Sequence, residues 1–234
     1  MANKIKLIPC SDPRTYFSPR RAIEETLYYL MERTDEITPT SRKQLLEICN
    51  AAILALGSSI QDGDERWIRN PLKGESTPDA CIMSIELRDN NQNRVIKEHE
   101  VEIVTMEDHS EDDVVEFLKR TKLNPKKSYP ANSSILCRID KNIVVDSWQD
   151  IHKKLMPYMG DLQVHFLCRV EESPTTFQII WMGQTEDLFL VGDKFELIES
   201  MKIDAKDLIQ FQRRTGLNMA VSEIPHIPMF EEVG

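Results

Sequence analysis

Between residues 18 and 57 the apolar positions recur every three or four residues. Ile23, Leu27, Leu30 and Met31 form one stripe; Leu45, Cys49, Ala52, Ile53 and Leu56 form a second. Both patterns predict helices with one buried face. Ser18-Pro19 puts a capping side chain just before a proline at the first helical position. Thr38-Pro39, or Ser41 with Gln44, starts the second helix, and Gly57 reads as its left-handed stop. The short link predicts an antiparallel helical pair. From 58 to 78 serine, glycine, proline and charge dominate, which predicts a loop pinned to the body by Trp67 and Ile68.

The period then changes to two. Cys81, Met83, Ile85 and Leu87 alternate with Ser84, Glu86 and Arg88. After the polar turn 89–93, Val95, Val101 and Ile103 share one parity and Glu98, Glu100 and Glu102 the other. This predicts a hairpin with a dry face and an acidic outer face. A helix over 111–121 is predicted from a Ser110–Asp113 cap and a Val114, Phe117, Leu118 stripe. Residues 133–139 and 142–145 read as another hairpin. Ser147 with Asp150 caps a helix carrying Trp148, Ile151 and Leu155, ended by Pro157 and Gly160. Strands are expected over 162–170, 177–181, 188–191 and 195–198, with Gly192-Asp193 as a tight turn. A last helix is expected from the Asp204–Asp207 cap to Gly216.

Short turns between neighbouring strands predict an α+β chain. Its sheet is expected to be mostly antiparallel, built of hairpins and a C-terminal meander. An N-terminal helical pair and about three further helices pack on it. The expected division is a helical segment 1–60, a linker 61–78, an α+β domain 79–216 and an extended tail 217–234.

Composition narrows the classes. Apolar residues make up 41% of the 234 positions and charged residues 29%, a globular balance. A net charge of −10 gives no overall attraction to nucleic acid or anionic lipid. The five cysteines are widely spaced without a C-x-x-C pair, so a reducing, cytoplasmic setting is expected and no zinc ribbon. No apolar stretch reaches a membrane span, and no leader is evident. With eight glycines and no P-loop motif, no nucleotide cofactor is expected.

The stretch PDACIMSIELR, residues 78–88, has the carboxylate order of restriction-type metal nucleases in Asp79, Glu86 and Arg88. Such enzymes bring carboxylates to shared metal ions, with a lysine beside the attacking water. On one regular strand positions seven apart face opposite ways, so Asp79 and Glu86 diverge. Arginine also stays protonated where a lysine could exchange a proton. Glu98, Glu100 and Glu102 share a face, yet neighbours in the row lie about 6.5–7 Å apart, too far for one ion. His99, His109, His152, His165 and His226 form no helical ligand pair, and His165 and Cys168 face opposite ways on a strand. No catalytic or metal site is therefore expected.

Two surfaces remain. Lys119, Arg120, Lys122, Lys126 and Lys127, with Tyr129 nearby, form a basic loop able to hold an anion or an acidic partner. The acidic start and basic end of the preceding helix explain Lys119 and Arg120 by the helix dipole, but not Lys126 and Lys127. The tail carries Ile224, Pro225, Ile227, Pro228, Met229 and Phe230, an extended segment suited to docking on a partner or on its own body. The expectation is a non-enzymatic protein-interaction or regulatory protein acting through these patches. Nucleic acid could bind only at the basic loop. The alternatives are a metal-dependent nuclease or phosphate-ester enzyme, and a self-assembling structural protein.

Overall fold

Ser18 starts the first helix: its backbone is extended, and its Oγ accepts the Arg21 N–H at 3.1 Å. The elements of this computed structural model follow in order. They are β1 (Lys4–Leu7), β2 (Thr15–Phe17), α1 (Pro19–Glu32), a 3₁₀ turn at Thr34–Glu36, α2 (Pro39–Asp62), β3 (Glu65–Arg69), β4 (Ala80–Arg88) and β5 (Asn93–Met106). Next come α3 (Val114–Thr121), β6 (Ser133–Ile139), α4 (Trp148–Met159), β7 (Gln163–Arg169), β8 (Thr176–Met182), β9 (Phe189–Val191) and β10 (Phe195–Glu196). The chain ends with α5 (Leu197–Met201), β11 (Leu208–Arg213), β12 (Met219–Ser222) and β13 (Phe230–Val233). The structure describes all residues except 1–3, 9–14, 73–77, 89–92, 108–112, 126, 141–144, 171–172, 203–207, 214–218, 223–228 and 234. For 4, 86–88, 93–95, 208–213, 219–222 and 231–233 it describes the backbone alone.

The chain divides into two compact units, 1–98 with 199–234, and 99–198, so the division falls inside β5. In the first unit β12, β11, β2, β3 and β4 lie side by side in that order, and every paired couple among them is antiparallel. Helices α1 and α2 pack on each other, and α2 lies along β3 and β4. Ala22, Ile23, Leu45, Ile48 and Ile68 are all fully buried here. Helix α2 passes through Gly57, the expected stop, and ends at Gly63, whose φ of 79° needs a glycine. Residues 47–58 are buried throughout, so packing holds Gly57 helical. The extension of α2 and the presence of β3 turn 58–62 and 65–69 of the expected 58–78 loop into regular structure. Trp67, Ile68 and Arg69 are the buried residues of that strand.

In the second unit β5 runs parallel to β6, and β6 parallel to β7; β8 is antiparallel to β7. Both β9 and β10 pair with β8 on its other side. The sheet is therefore mixed, which corrects the expectation of a mostly antiparallel one. The reason lies in the connections: α3 joins β5 to β6 and α4 joins β6 to β7, and parallel neighbours require such crossovers. The hairpin expected across 140–141 fails because Ser133–Ile139 has a parallel strand on each side; residues 141–144 lie outside the described ones. Phe117 and Leu118 of α3, with Leu155 and Met159 of α4, close one core over Ile135, Cys137, Val164, Phe166 and Ile180. Trp148 packs on Phe166 at 5.0 Å between ring centres. Helices with a large mixed sheet make the chain α+β.

The last expected helix is also corrected. Leu208–Arg213 is a strand, paired with β2 and β12. Its sequence, LIQFQR, alternates Ile209 and Phe211 with Gln210 and Gln212, a period of two that the more distant capping signal obscured. The expected cap at 204–207 lies outside the described residues. Conversely Leu197–Met201 is helical where a strand was expected to continue.

Candidate functional site

The basic loop folds back onto the helix before it. Asp113 opens α3, its carboxylate accepting the Glu116 N–H at 2.9 Å, and Lys119 and Arg120 lie in the last turn. A helix leaves its final carbonyls without partners and negative in potential. Lys127 Nζ donates to the Thr121 carbonyl at 2.8 Å, and the Tyr129 hydroxyl donates to the Lys122 carbonyl at 2.8 Å. The loop therefore caps α3, and Lys127, which the dipole argument had left unexplained, has this role.

Between the loop and the end of α4 lies a cleft of about 500 Å³. Its walls include Lys122, Lys127, Tyr129, Pro130, Tyr158 and Asp161. Lys119 Nζ lies 4.7 Å from the centre of the Tyr158 ring and bonds Glu116 at 2.7 Å. Lys122 turns inward: its Nζ meets Glu102 Oε2 at 2.7 Å, and both side chains are largely buried. Of the five cations expected to act together, Lys122 is thus engaged with Glu102 and Lys126 lies outside the described residues. Lys127 and Arg120 are exposed, and Lys119 is half-buried.

The carboxylate candidates scatter. Asp79 sits half-buried just before β4, and the side chain of Glu86 lies outside the described residues. Glu102 is 7% exposed, so the expected solvated acidic face fails there. At this position β5 pairs with β6, and Lys122 from the end of α3 closes over Glu102. Glu98 is held by Arg69, whose Nε donates at 3.2 Å. Among the described residues no group of three or more His, Cys, Asp or Glu side chains is placed to hold a metal ion.

Arg69 also centres a cluster that sequence reasoning missed. Its Nη2 donates to Cys81 Sγ at 3.1 Å, directly across the β3–β4 pair, and its guanidinium lies 6.0 Å from the Tyr16 ring centre. Burial, with Glu98 adding, pushes the Tyr16 hydroxyl well above the ordinary tyrosine value. Only strand pairing reveals that Cys81 sits beside a cation. With Cys81 1% exposed and Arg69 5%, the cluster is part of the packing.

His152 is likewise structural: its Nε2 lies 2.7 Å from the Gly183 carbonyl, and its ring stacks on Phe189. His165 is buried on β7, His99 is half-buried, and His109 and His226 lie outside the described residues. Cys137 and Cys168 occupy the helix-covered face of the sheet. Burial pushes the Cys168 thiol up to about 12, and raises Cys137 as well, with Cys168 adding to the effect. A thiol raised in the folded state keeps its proton while the unfolded thiol loses it. Its contribution to stability is complete below the ordinary value of 9.0 and is lost as pH rises towards about 12. Native protein should therefore leave Cys137 and Cys168 unalkylated by iodoacetamide at pH 8, as peptide mass mapping would show. The melting temperature should fall between pH 9 and 11, and Cys168→Ala should flatten that slope.

In the tail Met229 and Phe230 are buried at 0% and 2%. Strand β13 pairs antiparallel with β1, with Phe230 opposite Leu7. The Met229 N–H donates to Glu25 Oε2 at 3.1 Å, and its carbonyl accepts from the Ile8 N–H and Asn70 Nδ2. These two residues sit on their own unit, while Ile224, Pro225, Ile227 and Pro228 lie outside the described residues. Among the described residues no helix is long and apolar enough to cross a membrane. Compared with known proteins, the chain matches no family model, no curated protein and no solved structure.

Proposed function

We propose that the protein is a non-enzymatic interaction protein whose cleft beside the basic loop takes a short acidic, aromatic or proline-bearing segment of a partner. One observation carries this reading: the cleft joins tyrosines and prolines to lysine charge at its rim. Tyrosine and proline walls favour a partner's rings and prolines at little entropic cost. The Lys127 ammonium bonds a neutral carbonyl, so its charge stays available to a carboxylate. Buried Leu123, Met159 and Leu162 give the cleft a fixed apolar floor.

The test uses the full chain and a fluorescent peptide, Glu-Tyr-Glu-Pro-Glu-Tyr, followed by anisotropy. Saturable binding is expected, weakened about tenfold by Lys127→Glu and by Tyr158→Ala. It should also weaken with added salt. Tyr158 is exposed, so its variant should leave circular dichroism unchanged; Lys127 also caps α3, so the neutral donor of Lys127→Gln serves as the check that separates loss of charge from loss of the cap. Binding that neither variant alters, or no binding, overturns the reading. Tighter binding of a single-stranded oligonucleotide, lost in the same variants, would make the loop a nucleic-acid site instead.

A further inference from the structure

A separate surface of the second unit carries an open strand edge. Gly192 N–H donates to the Ile179 carbonyl at 2.9 Å, and Gly183 N–H donates to the Leu188 carbonyl at 2.6 Å. Together with the register Trp181 opposite Leu190, these bonds fix which residues of β9 face β8: Leu188, Leu190 and Gly192. In an antiparallel ladder the alternate residues point their N–H and C=O groups the other way. Those are Phe189 and Val191, and among the described residues β9 has no second neighbour.

An open edge is ordinarily blunted by charge, by a bulge or by cover. Here the side chains are apolar and exposed: Leu188 at 56%, Leu190 at 44% and Val191 at 42%. The edge is also held rigidly. His152 grips the Gly183 carbonyl and stacks on Phe189. Gln178 Nε2 holds the Gly192 carbonyl at 2.9 Å, and a Cβ on Gly192 would fall 2.4 Å from the Trp181 ring. A strand added here meets a preformed template and loses little order in the protein.

The flanking charges select the occupant. Glu186 and Asp187 precede the strand, and Asp193 and Lys194 follow it, all exposed. The balance is acidic at an edge of a chain with net charge −10. Antiparallel self-pairing that matches Phe189 with Val191 of the other copy sets Asp187 opposite Asp193 but also Glu186 opposite Lys194, so the two contacts offset; a segment with basic ends instead meets three acidic side chains against one lysine.

We propose that β9 is a docking edge for an extended protein segment with aliphatic residues at alternate positions and lysine or arginine at its ends. The probe is a fluorescent Lys-Val-Thr-Val-Thr-Val-Lys peptide, titrated by anisotropy into the full chain. Saturable binding is expected. A glutamate-flanked version should bind at least about tenfold more weakly. Val191→Pro removes an outward donor without touching the β8–β9 ladder, and should cost about the same factor with an unchanged circular dichroism spectrum. Leu190→Lys keeps the backbone intact, opposes the probe's charge, and should weaken binding in parallel. Lys127→Glu should leave it unchanged, which separates this edge from the cleft. The proposal is overturned by no binding, by equal binding of the two peptides, or by undiminished binding to both Val191→Pro and Leu190→Lys. A concentration-dependent dimer in sedimentation velocity, abolished by Val191→Pro, would assign the edge to a second copy instead.

Discussion

Lys122→Met should lower the unfolding free energy by about 3–5 kcal/mol, because it strands Glu102 as an uncompensated buried charge. The two side chains are 13% and 10% exposed, and Nζ and Oε2 lie 2.7 Å apart. The attraction between such groups roughly offsets the cost of removing both from water, so the intact pair contributes little net stability. The cost appears when one partner goes. The double variant Lys122→Met with Glu102→Met should therefore recover most of the loss, since two methionines fill the space without a charge to solvate. Urea titrations of the wild type, both single variants and the double variant complete the cycle. Raised salt should barely move the result, because a buried pair is poorly screened. A single variant as stable as the wild type would mean that Glu102 reaches water and that the acidic face is solvated after all.

This pair also shows where sequence reading stops. The parity of Glu98, Glu100 and Glu102 was legible, and so was the end of α3 that carries Lys122. Their meeting was not, because it depends on β6 lying parallel to β5 and bringing the intervening helix over that strand. Local signals fared well in most places where the physics is local: Ser18 and Ser147 cap the helices they were expected to cap, as does Thr38, one of two expected starts, whereas α3 begins at Val114 with Asp113 as its cap instead of Ser110. They fared worse where neighbours decide. Gly57 is an ordinary stop signal that the surrounding burial overrules. Strands β2 and β12 have three and four residues, too few to show a period, so neither partner of Leu208–Arg213 is visible in the sequence. Of the basic loop the charges were legible, but not that Lys127 and Tyr129 would be used to finish a helix. The open edge at β9 could not be read at all, since LFLV looks the same whether it lies inside a sheet or at its border.

Phe230→Ala should cost about 3–5 kcal/mol, the range for emptying a fully buried aromatic site. Phe230 is 2% exposed and packs edge-on to Tyr29 at 5.5 Å between ring centres. It stands opposite Leu7 in the β1–β13 pair, next to the fully buried Met229. The cavity would loosen the two-stranded ribbon in which Phe230 is buried, so the damage should centre on the chain's two ends. The measurable results are a melting temperature lower by roughly 10 °C and faster hydrogen exchange at the amides of Lys4–Leu7. Removing residues 229–234 should cost more. It also takes away the Met229 carbonyl, leaving the Ile8 N–H without that acceptor and Asn70 Nδ2 with only the Ile8 carbonyl. A tail that serves as a free arm for a partner gives the opposite result: Phe230→Ala would leave melting and β1 exchange unchanged and would weaken only an intermolecular complex.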